Sequence, residues 1–267
     1  DAVVNLIAIL HGSAQAYAWT HQDLPATIAR VSAKQGVRHL VHLSALGVDS
    51  RDPQSAPSQY LRSKALGEIA LAECLGFTHP VDQTHRCGLT ILRPSVVFGA
   101  NDRFLNVFAQ LQATVPVMPL ACPQAQFQPV WVEDVATAIL RSLEHGARQA
   151  PAMQVYELAG PQIYTLRELV QFAARCSGIN RGRGRPVIGL PLWMGYIQAA
   201  ALGLVPGEPL MSADNLRSMQ KPNIRNGDFP GLDALGIEAS PLEAIGPQYL
   251  QSEPANHGLL GLRHRHR

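Results

Sequence analysis

Apolar positions change their period along this chain, and each change predicts an element. Residues 2–9 form a largely apolar run that predicts a buried strand. Leu24, Ile28 and Val31 then fall on one helical face, with Asp23 placed to cap the helix and Gly36 to stop it. Residues 37–43 return to an apolar run that ends at Ser44. Strands of this kind joined by a helical crossover predict a parallel sheet covered on both faces. His39 and His42 interrupt the second strand and are expected to be hydrogen-bonded structural imidazoles at the sheet surface.

A polar loop with prolines covers 49–57, and the next helix carries Leu61, Ala65, Ile69 and Cys74 at burial spacing before Gly76 stops it. After a loop over 78–88, LTILRPSVVFG reads as another buried strand with Pro94 near its end. Phe104, Val107, Phe108 and Leu111 predict a helix over 103–112. PVWVEDVATAILRSL combines a short strand with a helix whose first turn holds Glu133 and Asp134, favourable beside the positive helix end. Residues 155–158 supply one more short strand before Gly160.

Beyond that point helix signals dominate. Thr165 with Glu168 and Ser240 with Glu243 read as capping boxes, the second with Pro241 at the first helical position. A helix is expected near 214–219. Residues 187–207 hold 21 positions without a charge, long enough to span a bilayer. Pro191, Gly195, Gln198, Gly203 and Pro206 break that run, and Trp193, Ile197 and Ala201 lie at helical spacing, so an amphipathic helix in a small lobe is preferred. The expected organisation is a nucleotide-binding portion over 1–160, a mainly helical lobe over 161–252 and a disordered tail over 253–267. The fold class is α/β: a doubly wound parallel sheet of Rossmann type, shortened at its N-terminus, with a small helical C-terminal lobe.

Composition narrows the function. The 267 residues are 46% hydrophobic and 16% charged, which supports a globular core. Arg263, Arg265 and Arg267 in the tail outweigh the net charge of +2, leaving the body slightly negative, so nucleic acid is not an expected partner. The RGRGR run at 181–185 reads as a solvated loop. Cys74, Cys87, Cys122 and Cys176 have no pairing pattern and are expected to be reduced thiols of a cytoplasmic compartment; the scattered histidines suggest no metal site.

The candidate chemistry is Tyr60 and Lys64, four apart inside SQYLRSKALGE and therefore on one helical face. With six Tyr and three Lys in the chain, such a pair is expected by chance roughly 0.07 times. An ammonium beside a phenol is expected to lower its pKa and suit it to proton transfer, with Ser44 orienting a substrate oxygen. No GxGxxG or GxxGxxG fingerprint occurs. The chain therefore reads as a fragment without the unit that cradles a pyrophosphate, with residues 2–9 as an exposed apolar edge and weak cofactor affinity on its own.

Taken together, VVNLIAI, LVHLSALG, YLRSKALGE, LRPSVVFG and PVWVEDVA resemble the extended and atypical short-chain dehydrogenase/reductases. Within them, YLRSKALGE, FGANDRFLNVFAQL and QPVWVEDVA resemble the NADPH-binding accessory-subunit group of respiratory complex I and its bacterial relatives, strongly to about residue 165 and weakly to about residue 250. The resemblance implies that Tyr60 and Lys64 are the family pair, that Lys64 holds the nicotinamide ribose, and that Ser44 is the third catalytic partner, although Ala45 and Leu46 replace the usual Ser/Thr-rich continuation. It places Ala8, Pro94 and Ser95 beside the nucleotide, with Arg93 in the same segment, and implies NADP or NAD, with NADPH favoured. Asp102 and Arg103 match a motif of the complex I group that reads physically as a helix-capping ion pair. The implied partner is a respiratory complex or membrane-peripheral protein, at the inner face of the respiratory membrane. The alternative is an active NAD(P)-dependent reductase, dehydrogenase or sugar-nucleotide epimerase. An enzyme is expected to have a polar cleft above Tyr60, and a docking protein an apolar patch near residues 192–204.

Overall fold

The computed structural model describes residues 1–78, 87–148, 150–204 and 210–250. In chain order the elements are β1 (Ala2–Asn5), α1 (Ala14–Ala18), α2 (Leu24–Lys34), β2 (His39–Leu43), α3 (Gln59–Cys74), β3 (Gly88–Pro94), β4 (Val97–Phe98), α4 (Leu105–Thr114), β5 (Met118–Ala121), β6 (Gln126–Phe127), β7 (Val130–Trp131), α5 (Val132–Arg148), β8 (Met153–Leu158), β9 (Tyr164–Thr165), α6 (Leu166–Cys176), β10 (Val187–Leu190), α7 (Leu192–Gly203), α8 (Ala213–Ser218) and α9 (Leu242–Leu250). The described residues group into two compact units: those within Asp1–Ser95, Glu133–Ala159 and Arg225–Ala239, and those within Val96–Val132, Gly160–Ile224 and 240–250.

The first unit contains a parallel sheet of order β1-β2-β3-β8, as continuous apolar strands with helical crossovers require. One face is covered by α2 and α3, where Ala29, Leu71 and Leu75 pack on Leu40, Leu89 and Ile91. The opposite face meets α5 closely: a Cβ on Gly146 would lie 2.2 Å from the His39 ring, and one on Gly88 would lie 2.5 Å from it. His39 therefore fits between two glycines while its Nε2 meets Thr90 Oγ1 at 2.9 Å. Both predicted structural histidines are hydrogen-bonded, and both are buried rather than superficial.

Several boundaries differ from expectation. β1 stops at Asn5, and the apolar residues after it, Leu6, Ile7 and Leu10, are exposed. The helix expected after Asp23 begins earlier, at α1, where Ser13 accepts from Ala16 N–H; a π-helical turn at Trp19–Asp23 carries it into α2. Asp23 is helical itself and makes no side-chain cap, and Val31 faces solvent. The long strand expected around Pro94 is split into β3 and β4. Gly36 and Gly76 stop their helices with φ of 67° and 76°, a conformation that glycine adopts without a Cβ clash.

The second unit packs α4, α6 and α9 around Phe98, Leu105, Met118, Leu120, Phe127 and Phe172, with short strands paired as β10-β5, β4-β7 and β6-β9. The Thr165–Glu168 capping box opens α6 as expected. Asp102 is a capping group: its Oδ1 accepts from Phe104 and Asn106 N–H, and its Oδ2 accepts from Tyr249 at 2.9 Å. The expected helix near 214–219 is α8, capped by Ser212 and Asn215. The tail over 253–267 lies outside the described residues.

Candidate functional site

Helix α3 is the centre of the site, and it is buried nearly all round. It begins at Ser58, whose Oγ accepts from Leu61 N–H. One line of its surface then carries Tyr60, Ser63, Lys64, Gly67 and Glu68, spaced at three or four residues so that all face the body of the unit. Lys64 is 1% exposed, and its ammonium donates to the Leu43 carbonyl at 2.9 Å, at the carboxyl end of β2. Ser44 is the next residue. Its Oγ is buried with no hydrogen-bond partner among the described residues. Lys64 and the end of β2 are thus joined by a direct contact, and Tyr60 packs beside Ala45 and Val48.

The electrostatics differ from expectation at Tyr60. Burial pushes its phenol up to about 12, and the neighbouring Tyr17 phenol adds to the rise. The expected lowering by Lys64 is overturned, because burial and the Tyr17 phenol both disfavour the ionised form. Burial also lowers Lys64 to about 8, with Glu68 one turn along opposing that shift.

Beneath the pair lies a polar layer that sequence spacing did not reveal. His21, in the π-helical turn, accepts at Nε2 from Ile9 N–H (3.1 Å), which leaves Nδ1 as the protonated nitrogen facing Ser63 Oγ at 2.8 Å. Ser63 in turn donates to the Tyr60 carbonyl at 2.9 Å. The His21 ring stands edge-on to Tyr60 at 5.7 Å and tilted to Tyr17 at 5.5 Å. Gly67 makes this approach possible, since a Cβ there would lie 1.9 Å from the His21 carbonyl oxygen. His42, two residues before Ser44 on the same face of β2, accepts at Nδ1 from the Asn5 amide at 3.0 Å; its Nε2 is buried without a partner among the described residues. Burial, with the nearby Lys64 charge, holds His21 at about 4 and His42 at about 3, so both are neutral near pH 7.

Arg93, in the segment that the resemblance set beside the nucleotide, is buried in an ion pair. Its guanidinium donates to both Glu68 oxygens, at 2.9 and 2.6 Å, and to Ser50 Oγ, while Phe229 covers its face at 4.7 Å. Ser50 also donates to Glu68. This buried bidentate pair ties α3 to β3 one turn beyond Lys64. Pro94 ends β3 with its carbonyl accepting from Leu46 N–H, and Ser95 donates its N–H to the Leu158 carbonyl, so both stand at the carboxyl edge of the sheet. Ala8 lies in the exposed segment after β1. The positions of Ser63, Gly67 and Glu68, three, seven and eight residues after Tyr60, were a readable signal; His21, 42 residues from Ser63, offered none.

No protein-family model matches the chain. Over 229 residues it is 30% identical to the Mus musculus protein "NADH dehydrogenase (ubiquinone) 1 alpha subcomplex subunit 9, mitochondrial", covering 83% of this chain and 53% of the mouse protein. It is 25% identical to the Neurospora crassa "NADH-ubiquinone oxidoreductase 40 kDa subunit, mitochondrial", over 96% of this chain and 62% of that one. The chain spans about half the length of the curated mammalian relatives it matches. Among solved structures it superposes on MoeE5 in complex with UDP-glucose and NAD (TM-score 0.63, 16% identity, 93% of this chain and 78% of that one). It also superposes on Bacillus anthracis dTDP-4-dehydrorhamnose reductase in complex with NADP (TM-score 0.60, 12% identity, 94% and 78%). At these identities the two structures speak for a shared Rossmann-like fold.

Proposed function

We propose that the chain, which is similar to the alpha subcomplex subunit 9 proteins of NADH dehydrogenase, is an atypical short-chain dehydrogenase/reductase serving as a nucleotide-holding accessory protein of the complex I type. Its task is to retain NAD(P)H, with NADPH preferred, and to dock on a respiratory-complex partner at the inner, cytoplasmic face of the respiratory membrane. Nucleotide binding is assigned to residues 1–160 and docking to the lobe over 161–252. The observation that carries this reading is the 30% identity to the mouse alpha subcomplex subunit 9 protein over 83% of this chain. A phenol pushed up to about 12 stays protonated through the neutral range, where it can donate a hydrogen bond but is a poor general base.

The residues present suit a nicotinamide nucleotide. Lys64 and Tyr60 would hold the ribose, the unpartnered Ser44 Oγ would meet a polar oxygen, and Pro94, Ser95 and Ala8 would border the bound molecule. Bound NAD(P)H would bring hydride chemistry to the site. The second reading, an active reductase, dehydrogenase or sugar-nucleotide epimerase using Tyr60, Lys64 and Ser44, is favoured by that same Ser44 hydroxyl, buried and without a partner. Purified full-length protein separates the two. Nucleotide released on denaturation, identified by mass spectrometry, is expected to be NADPH, retained in Tyr60→Phe and lost in Lys64→Ala. Oxidation of NADPH by a carbonyl compound or a nucleotide sugar, abolished by Tyr60→Phe, would overturn the accessory reading.

A further inference from the structure

The ring of His42 carries a proton that none of the polar groups around it accepts. Asn5 Oδ1 takes the Ile7 N–H at 3.1 Å, so the atom of Asn5 that faces His42 Nδ1 at 3.0 Å is its amide nitrogen, and it donates. Nδ1 is thereby the acceptor of the ring and Nε2 its N–H. Residue 42 is 1% exposed, and that N–H meets no partner among the described residues. The polar neighbours have nothing left to offer it. Lys64 only donates, Asn5 Oδ1 is engaged by Ile7, and His21 spends Nε2 on Ile9 N–H while its Nδ1 is protonated. Glu68, the carboxylate one turn along α3 from Lys64, is held by Arg93 and Ser50. A buried donor left unpaired is strongly unfavourable, so each such group calls for an acceptor. Two residues on, on the same face, Ser44 presents a second buried polar atom without a partner among the described residues.

We propose that His42 is a positioning residue of the nucleotide site, which holds the Ser44 hydroxyl in place through one buried water. The inference deepens the proposed function and rests on its nucleotide-binding part. Residues two apart on a strand stand about 6.6 Å apart at Cα, and two hydrogen bonds through one oxygen span about 5.6 Å, so a single water suffices to join the two side chains. Its oxygen accepts from His42 Nε2–H, and one of its hydrogens goes to Ser44 Oγ. A hydroxyl oxygen that already accepts on its inner side has its own proton free to turn outward. Ser44 then meets the ligand as a donor, and the atom it takes is an oxygen that accepts. The neutral ring suits this arrangement, since an imidazolium would set a second cation near the Lys64 ammonium and would take the Nδ1 acceptor away from Asn5.

Two measurements on the full-length protein test the bridge. NMR of the histidine rings in isotope-labelled protein is expected to show His42 as the Nε2–H tautomer, with cross-relaxation between that proton and water. The rate of NADPH release is expected to rise about fivefold in His42→Phe and in Ser44→Ala, the worth of about one hydrogen bond. It should stay within about twofold of the wild type in His42→Gln, whose amide supplies an acceptor for Asn5 and a donor for the water. The double variant His42→Phe/Ser44→Ala should release no faster than either single one, because both remove the same bridge. Circular dichroism reports folding, and His42→Gln with Ser44→Ala carries the comparison if His42→Phe does not fold. Release about twenty-fivefold faster in the double variant would make the two residues independent and overturn the positioning role. So would equal effects of His42→Gln and His42→Phe, a ring protonated at Nδ1, or a ring proton out of contact with water. A wild-type protein that retains no NADPH would sink the proposed function and the positioning role together, while the ring's contact with water decides the water site on its own.

Discussion

Helices α3 and α7 break the rule of apolar inside and polar outside in opposite directions. On α3, Ser63, Lys64 and Glu68 are buried among hydrogen-bond partners, whereas on α7 the tryptophan and isoleucine face outward and glycine and alanine face in. Burying an ammonium and a carboxylate is unfavourable unless each is paired, and leaving large apolar side chains in water forgoes their transfer energy. Neither arrangement is the most stable choice for its helix. Deviations of this kind are where function is to be sought, at the buried charges of α3 and at the exposed apolar row of α7.

The comparison breaks most sharply at Arg93. Arg93→Ala leaves Glu68 as an uncompensated buried carboxylate, with an expected loss of about 3–5 kcal/mol in denaturant unfolding of the purified protein. Replacing both partners by Glu68→Leu/Arg93→Met should recover most of it; no recovery would mean that the pair is not an isolated unit.

Gly67→Ala comes next. The added methyl would drive α3 from the π-helical turn, with an expected loss of about 1–3 kcal/mol by the same measurement. Nucleotide retention should fall with it, because Tyr60, Ser63 and Lys64 move as one face.

A pH series sharpens the contrast further. His21 and His42 are held at about 4 and about 3 when folded, below the ordinary 6.5 of the unfolded chain, so between these values the unfolded state binds more protons. Stability is expected to be complete above about pH 6.5 and to fall as pH drops toward 4 and then 3. Unfolding midpoints across that range should show it, and His21→Gln should flatten the slope above about pH 4. A wild-type slope unchanged by that substitution would mean that other groups govern acid unfolding.

The smallest effect belongs to α7. Trp193→Gln and Ile197→Gln remove no buried contact and should change unfolding free energy by no more than about 0.5 kcal/mol. A loss several times larger would show that this face is packed in solution.

Much of the first unit was legible because the signals were local. Apolar runs marked β2 and β3, Gly36 and Gly76 marked helix ends, and the Tyr60–Lys64 spacing placed both residues on one face of α3. The capping box of α6 could be read from Thr165 and Glu168 alone. Features that depended on distant neighbours were missed. The Asp23 cap failed because Ser13 opens the helix ten residues earlier, and the stripe of Trp193, Ile197 and Ala201 faces solvent because Ala121 and Leu216 lie on the glycine side. Periodicity identifies a helix and its faces, but not which face finds a partner.

The chain alone determined the strand and helix rhythm, the parallel α/β class and the pairing of a phenol with an ammonium, because each depends on residues within a few positions of one another. Only the tertiary structure decided the protonation of that phenol, the tautomer of His21, the commitment of Arg93 to Glu68 and the outward turn of α7. Desolvation and hydrogen-bond partnership are set by groups brought together from far along the chain, and those contacts exist only once the backbone has closed around them.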